Sequence, residues 1–230
     1  MRKINPRIPA LFVWIPRTGG STVWGAVEQA FGREASQRVK MPDRPFRSGC
    51  AVTTFQHNAI PRLIKRSIIT RQEVDSLWKF SIVRHPLARL VSIYCRLTQL
   101  ADPENKTRFI RNTDMFHGRW PTWNCFFEWA ISGDVPPPGS EGLRFEEFPN
   151  RQTAWLHHDD GSRLVNMVFR LEDIKDWWWI LEDSLGRKLP LSIRNPSEHG
   201  YFWDYYTDTM RRRAVSYYHE ELQRFGYVTQ

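Results

Sequence analysis

The sequence lacks most of the short signatures that fix a protein's chemistry at a glance. It holds three cysteines, Cys50, Cys95 and Cys125, without CxxC spacing. An odd, scattered set excludes a disulfide framework and a cysteine zinc site, and fits reduced thiols in a cytoplasm-like compartment. No stretch approaches the roughly 18 apolar residues of a membrane span. The opening "MRKINPRIPALFVWIP" has too short an apolar run for a signal peptide and no small-residue cleavage site. Internal repeats, low-complexity tracts and domain-splitting linkers are missing as well. So is the lysine-bearing GxxxxGK[ST] loop of nucleoside triphosphatases. The expectation is a soluble, cytoplasmic chain forming one domain over residues 1–230, with 101–149 as a surface insertion.

Acid is in short supply. The chain has 33 basic against 25 acidic residues, for a net charge of +8. Such a balance favours an anionic ligand, whether a phosphorylated cofactor, an acidic polymer or nucleic acid, and equally fits a solvated basic surface. Apolar residues make up 41% of the chain, enough to exclude wholesale disorder.

What is present alternates between strand and helix patterns. "ALFVWI" (10–15) is a continuous apolar run closed by proline, the pattern of a buried strand. Val23, Trp24, Val27 and Phe31 then recur at helical spacing, with Gly32 as a stop. "CAVTTF" (50–55), "WKFSIV" (78–83) and "RLVNMVFRL" (163–171) give three further strands. Thr70 and Glu73 have the spacing of a capping box. "RHPLARLVSIYCRL" opens a helix with Pro86 in its first turn. "NCFFEWAIS", "NRQTAWL", "EDIKDWWWILEDSLG" and "TDTMRRRAVSYYHEELQRFG" read as further helices, and 101–122 as an extended loop or lid. Strands alternating with helices predict an α/β fold with a central parallel sheet flanked by helices.

Three places concentrate chemistry. In "PRTGGST" (16–22), Gly19 and Gly20 let backbone approach an anion, and successive N–H groups at a helix start make a nest. Ser21 and Thr22 add hydroxyls, Thr18 a further one, and Arg17 a fixed charge. In "VRHPLARLVSIY" (83–94), Arg84 stands at a strand end and Ser92 two turns into the next helix, a fork and a hydroxyl for one phosphate. His57, just past the second strand, suits a general base near neutral pH. His85 is taken as structural, and the adjacent pair His157–His158 as a polar helix end rather than a metal site. Trp120, Trp123 and Trp129 fit either core packing or a stacking surface. The triple Trp177–Trp178–Trp179 must expose at least one ring, and "MRRRA" (210–214) reads as a solvated basic face.

Taken together, "PRTGGST" and "RHPLARLVSIY" resemble the two cofactor-binding elements of sulfotransferases that use 3′-phosphoadenosine 5′-phosphosulfate (PAPS). The family patterns are roughly PKTGGT[ST] and RxPxxRxxSxY, and the second is matched in full at Arg84, Pro86, Arg89, Ser92 and Tyr94. "FQH", "FFEW", "NRQTAWL", "FRLEDI" and a last helix ending in "FGY" are similar to the carbohydrate branch, which includes the heparan sulfate enzymes. The resemblance implies a P-loop-kinase-like sulfotransferase fold and PAPS as co-substrate, with no metal. It implies that residues Arg17, Thr18, Gly19, Gly20, Ser21 and Thr22 hold the 5′-phosphosulfate, and that Arg84 and Ser92 hold the 3′-phosphate. His57 becomes the base that takes the acceptor's hydroxyl proton. Arg17 stands where the family has lysine, and keeps the charge on a larger planar group. The implied partner is a hydroxyl-bearing acceptor, an oligosaccharide or a small molecule, and neither nucleic acid nor membrane. Other acceptors in view are a small alcohol, a phenol or a peptide tyrosine. Two more remote readings are a nucleotide kinase, which wants a lysine loop and magnesium carboxylates, and a basic nucleic-acid-binding module, which wants exposed aromatic strands.

Overall fold

The computed structural model describes residues 7–39, 49–99, 122–132, 151–158, 160–193 and 200–227. Most of the expected insertion 101–149, the 101–121 part of the expected lid, Trp120 and the triple-proline loop lie outside the described residues. The chain divides into two compact units, residues 1–84 with 152–196, and 85–151 with 197–230.

The first unit carries the sheet. In chain order it contains β1 (Ala10–Val13), α1 (Gly20–Ala35), β2 (Ser36–Val39) and β3 (Val52–Phe55). Then come α2 (Ile60–Lys65), α3 (Arg71–Ser76), β4 (Trp78–Val83), β5 (Met167–Arg170) and a helix at Ile174–Leu185. All the strand pairs are parallel, in the order β2-β3-β1-β4-β5. β1 therefore lies at the centre, which explains why its sequence is apolar on both faces. Ala10, Phe12 and Trp14 pack with Val23, Trp24 and Val27 of α1 and with Trp177, Trp178 and Leu181. Alternation leaves Leu11 and Val13 for the opposite face.

Side chains bind the strands as well as backbone. Thr54 Oγ1 donates to the Phe12 carbonyl at 2.7 Å, and Ser81 Oγ to the Val13 carbonyl at 2.8 Å. Hydroxyls in buried strands are thus satisfied across the ladder. Lys79 is buried, and Nζ donates to the carbonyls of Val74 and Leu77 at the end of α3. Burial pulls its pKa below the ordinary lysine value, against the opposing charge of Asp75.

The second unit is helical among the described residues. It comprises Pro86–Gln99, Trp123–Ser132, Asp208–Tyr217 and His219–Arg224, with a short 3₁₀ turn at Phe202–Tyr205. Its core is Leu87, Leu90, Val91, Phe126, Phe127, Tyr206, Met210, Tyr218 and Leu222. Tyr206 donates to the Leu87 carbonyl at 2.9 Å, and burial raises the phenol's pKa.

Several details differ from expectation. α1 is kinked rather than ended at Gly32, whose positive φ interrupts the helix before it resumes to Ala35. β2, short and half polar, is an edge strand without the apolar run that marks the others. "NRQTAWL" makes a 3₁₀ turn at Gln152–Trp155, not an α-helix. The last helix breaks at Tyr218, whose ψ of 11° separates Asp208–Tyr217 from His219–Arg224. The triple tryptophan divides as expected, with Trp177 and Trp178 buried and Trp179 60% exposed. Trp123 packs against Tyr94, Phe126, Tyr205 and Tyr206, and Trp129 against Phe126, both in the second unit's core.

Candidate active site

Register fixes what comes together. Leu11 of β1 is paired with Thr53 of β3, and Val13 with Ser81 of β4. Three neighbouring parallel strands therefore end along one edge, and each is followed by a predicted segment. His57 follows β3, the 16–22 turn follows β1, and Arg84 follows β4. The carboxyl edge of a parallel sheet, where connections diverge to either side of a central strand, is where open α/β folds bind ligands. β1 is such a strand, since its helix leads to β2 while β4 joins on its other flank.

The 16–22 turn is built to present backbone N–H groups. Arg17 has φ 66° and Gly19 φ 83°, two left-handed residues within three positions. Thr18 is fully buried, and its hydroxyl donates to the Ile15 carbonyl at 2.9 Å, which ties the turn to the strand end. That proton is thereby committed to the fold. Gly19 is the N-cap of α1 and its carbonyl accepts from Thr22 N at 3.0 Å, while no side chain caps the helix. The Thr22 amide is thereby engaged, and the Gly20 and Ser21 amides at the positive helix end form the arrangement that binds phosphate elsewhere. Thr22 is buried and Ser21 half-buried.

Both glycines are needed by the fold as well. A Cβ on Gly19 would lie 2.5 Å from Leu171 Cδ1, and one on Gly20 would overlap the Trp14 indole at Nε1. What approaches these glycines closely is protein. Leu171 belongs to "FRLEDI", a stretch held by an Arg170–Asp173 ion pair at 2.9 Å and by Trp177 Nε1 donating to the Arg170 carbonyl at 2.6 Å.

Trp14 joins the turn to His57. Its ring meets the His57 imidazole edge-on, with centroids 5.5 Å apart and planes at 83°. One indole thus touches Gly20 of the turn and the candidate base. His57 is half-buried and has φ 61°, a left-handed conformation uncommon for a non-glycine residue. Arg38 of β2 lies over the same ring at 6.0 Å. Neither contact was visible in the sequence, because a tryptophan ending an apolar run reads only as core.

Arg84 is fixed through its backbone. Gln152, fully buried, accepts from Arg84 N at 2.9 Å and donates from Nε2 to the Arg84 carbonyl at 2.8 Å. One carboxamide thus extends the sheet pattern past the end of β4. The glutamine sits in "NRQTAWL", whose signal was family likeness alone.

Ser92 belongs to the second unit, on Pro86–Gln99, and is fully buried beside the buried Arg89 of the same helix. Arg84 and Ser92 thus fall in different units. His85, expected to be structural, is packed among Phe202, Trp203 and Tyr227. His157 Nδ1 donates to the Thr153 carbonyl at 2.9 Å. Among the described residues no three His, Cys, Asp or Glu side chains gather as a metal set, and no helix is long and apolar enough to cross a membrane.

The fold defined by this sheet is the sulfotransferase-like α/β fold. Among solved structures the chain is similar to a mouse sulfotransferase complexed with PAP, with a TM-score of 0.53 and 14% identity over 95% of this chain and 86% of that one. No protein-family model matches the sequence, and no curated protein matches it.

Proposed function

We propose that the protein is a PAPS-dependent O-sulfotransferase that moves a sulfuryl group to a hydroxyl, with a carbohydrate as the acceptor and the cytoplasm as its compartment. The observation that carries this reading is the shared carboxyl edge of β3, β1 and β4, from which His57, the uncapped 16–22 turn and Arg84 all emerge. The similar fold of a sulfotransferase complexed with PAP supports it.

In this reading the amides at the start of α1 and the Arg17 guanidinium hold the 5′-phosphosulfate, while Arg84 and Ser92 hold the 3′-phosphate. Charge-assisted hydrogen bonds contribute about 1.5–3 kcal/mol each, so a handful suffices for micromolar affinity after association costs. Transfer forms a bond from the acceptor oxygen to sulfur and breaks the bond from sulfur to the bridging oxygen. His57 takes the proton released by the hydroxyl, and Arg17 stabilises the charge that grows on the departing phosphate. Catalysis of this kind is positioning plus fixed electrostatics. It asks for no metal, because guanidinium and amides supply the charge. The carbohydrate rests on the resemblance of "FQH" and "NRQTAWL" to that branch, with a small alcohol, phenol or peptide tyrosine as the second choice.

Thermal shift separates the readings. Adenosine 3′,5′-bisphosphate should raise Tm, whereas ATP with magnesium and an oligonucleotide should do so weakly or not at all; the reverse order sinks the reading. His57→Ala should keep bisphosphate binding within about twofold and lower transfer at least 10²-fold, the scale of general-base loss. Turnover unchanged in that variant would remove His57 from the chemistry.

A further inference from the structure

The two glycines of the 16–22 turn are packed by two different elements. Trp14, just past β1, abuts Gly20, and Leu171, just past β5, abuts Gly19, where Cδ1 lies 2.5 Å from the place a Cβ would take. Leu171 comes from a segment that the proposed chemistry leaves without a task. It opens the 3₁₀ turn Leu171–Asp173, and that turn is firmly fastened. Arg170 pairs with Asp173 at 2.9 Å, the Arg170 carbonyl accepts from Trp177 Nε1 at 2.6 Å, and Phe169 stacks on the Trp177 ring with centroids 4.4 Å apart. The ladder fixes its other side. Arg170 of β5 is the register partner of Val83 of β4, the residue directly before Arg84. One dipeptide, Arg170–Leu171, therefore lies alongside the strand end that carries Arg84 and against the turn that follows β1. In a close-packed interior such contacts transmit position.

We infer that Leu171 is a positioning residue that sets the spacing between the turn holding the 5′-phosphosulfate and Arg84, which holds the 3′-phosphate. The inference rests on the transferase reading above and adds a residue to its donor site. Two phosphates of one nucleotide reinforce each other only where their grips stand at the nucleotide's own separation. Spacing therefore shows in the advantage of the bisphosphate over each monophosphate, and not in the binding of either monophosphate alone.

Calorimetric titration with adenosine 3′,5′-bisphosphate, adenosine 5′-monophosphate and adenosine 3′-monophosphate tests this. The native protein should bind the bisphosphate about 10²-fold more tightly than either monophosphate. Leu171→Ala, which takes the methyl groups off Gly19, should cut that advantage about tenfold and leave both monophosphates within about twofold of native. Leu171→Met refills the space and should restore most of it. Leu185→Ala, at the far end of the Ile174–Leu185 helix in the same core, should lower Tm and keep the advantage. Leu171→Val reads the same quantity should the alanine variant fail to fold. An advantage unmoved at position 171 overturns the inference alone, as does a native protein that binds bisphosphate no more tightly than the monophosphates. A loss shared equally by all three nucleotides, or an equal fall in Leu185→Ala, also overturns it, because general loosening then accounts for the effect. Failure of the bisphosphate itself to bind the native protein overturns the transferase reading and the inference with it.

Discussion

At the scale of single residues, the site rests on small side chains placed against one large one. Gly20→Ala should cost about 2 kcal/mol, since the new methyl meets the Trp14 indole and overpacking costs about 1–3 kcal/mol. Urea denaturation measures it, and Trp14→Leu in the same chain should recover part of the loss. Arg17 has a left-handed backbone, which costs an L-residue about 1–2 kcal/mol relative to glycine. Arg17→Gly is therefore expected to match or exceed the native denaturation midpoint while losing transfer, and Arg17→Ala to lose transfer with no such gain. A fall in stability for the glycine variant would show that the guanidinium's contacts outweigh the strain. Arg17 and His57 stand out in the sequence as candidates because charge and imidazole have few other uses at a strand end. Trp14 does not, since its contacts with Gly20 and His57 depend on register and on a turn that brings residue 20 back to residue 14.

At the scale of elements, local rules held where the determinants were local. The capping box is complete, with Glu73 N donating to Thr70 Oγ1 at 3.1 Å and Thr70 N to the Glu73 carboxylate at 2.7 Å. Thr70→Ala should cost about 1 kcal/mol. The Thr70 backbone N–H, with its hydroxyl second, holds the Glu73 pKa below the ordinary carboxylate value. Its contribution is thus present above the unfolded pKa, about 4.3, and is lost as pH falls through the lower folded value. Stability against pH should show a shallower acid limb in Glu73→Gln; an identical limb would mean that the box is not formed in solution. Gln152 is the opposite case, because nothing in "NRQTAWL" says that its amide closes on a backbone 68 residues away. Gln152→Leu should cost about 1–3 kcal/mol for the Arg84 N–H and carbonyl it leaves unmet, and should weaken bisphosphate binding with it.

At the scale of the whole molecule, the parallel sheet was readable from four apolar runs alternating with helical periods. The fifth strand was not, because β2 lies at an edge where half its residues face water and pairing alone keeps it extended. The strand order was equally hidden, since it follows from long-range pairing rather than from any local pattern. That order has a temporal meaning during synthesis. β1 leaves the ribosome first, yet its neighbours follow at Val52 and Trp78. Until β4 emerges the central strand has one flank unpaired, and the glycine turn after it has no rigid base to stand on. Nascent chains halted before residue 78 should stay open to protease across residues 10–20, and acquire protection only once both neighbours have been made.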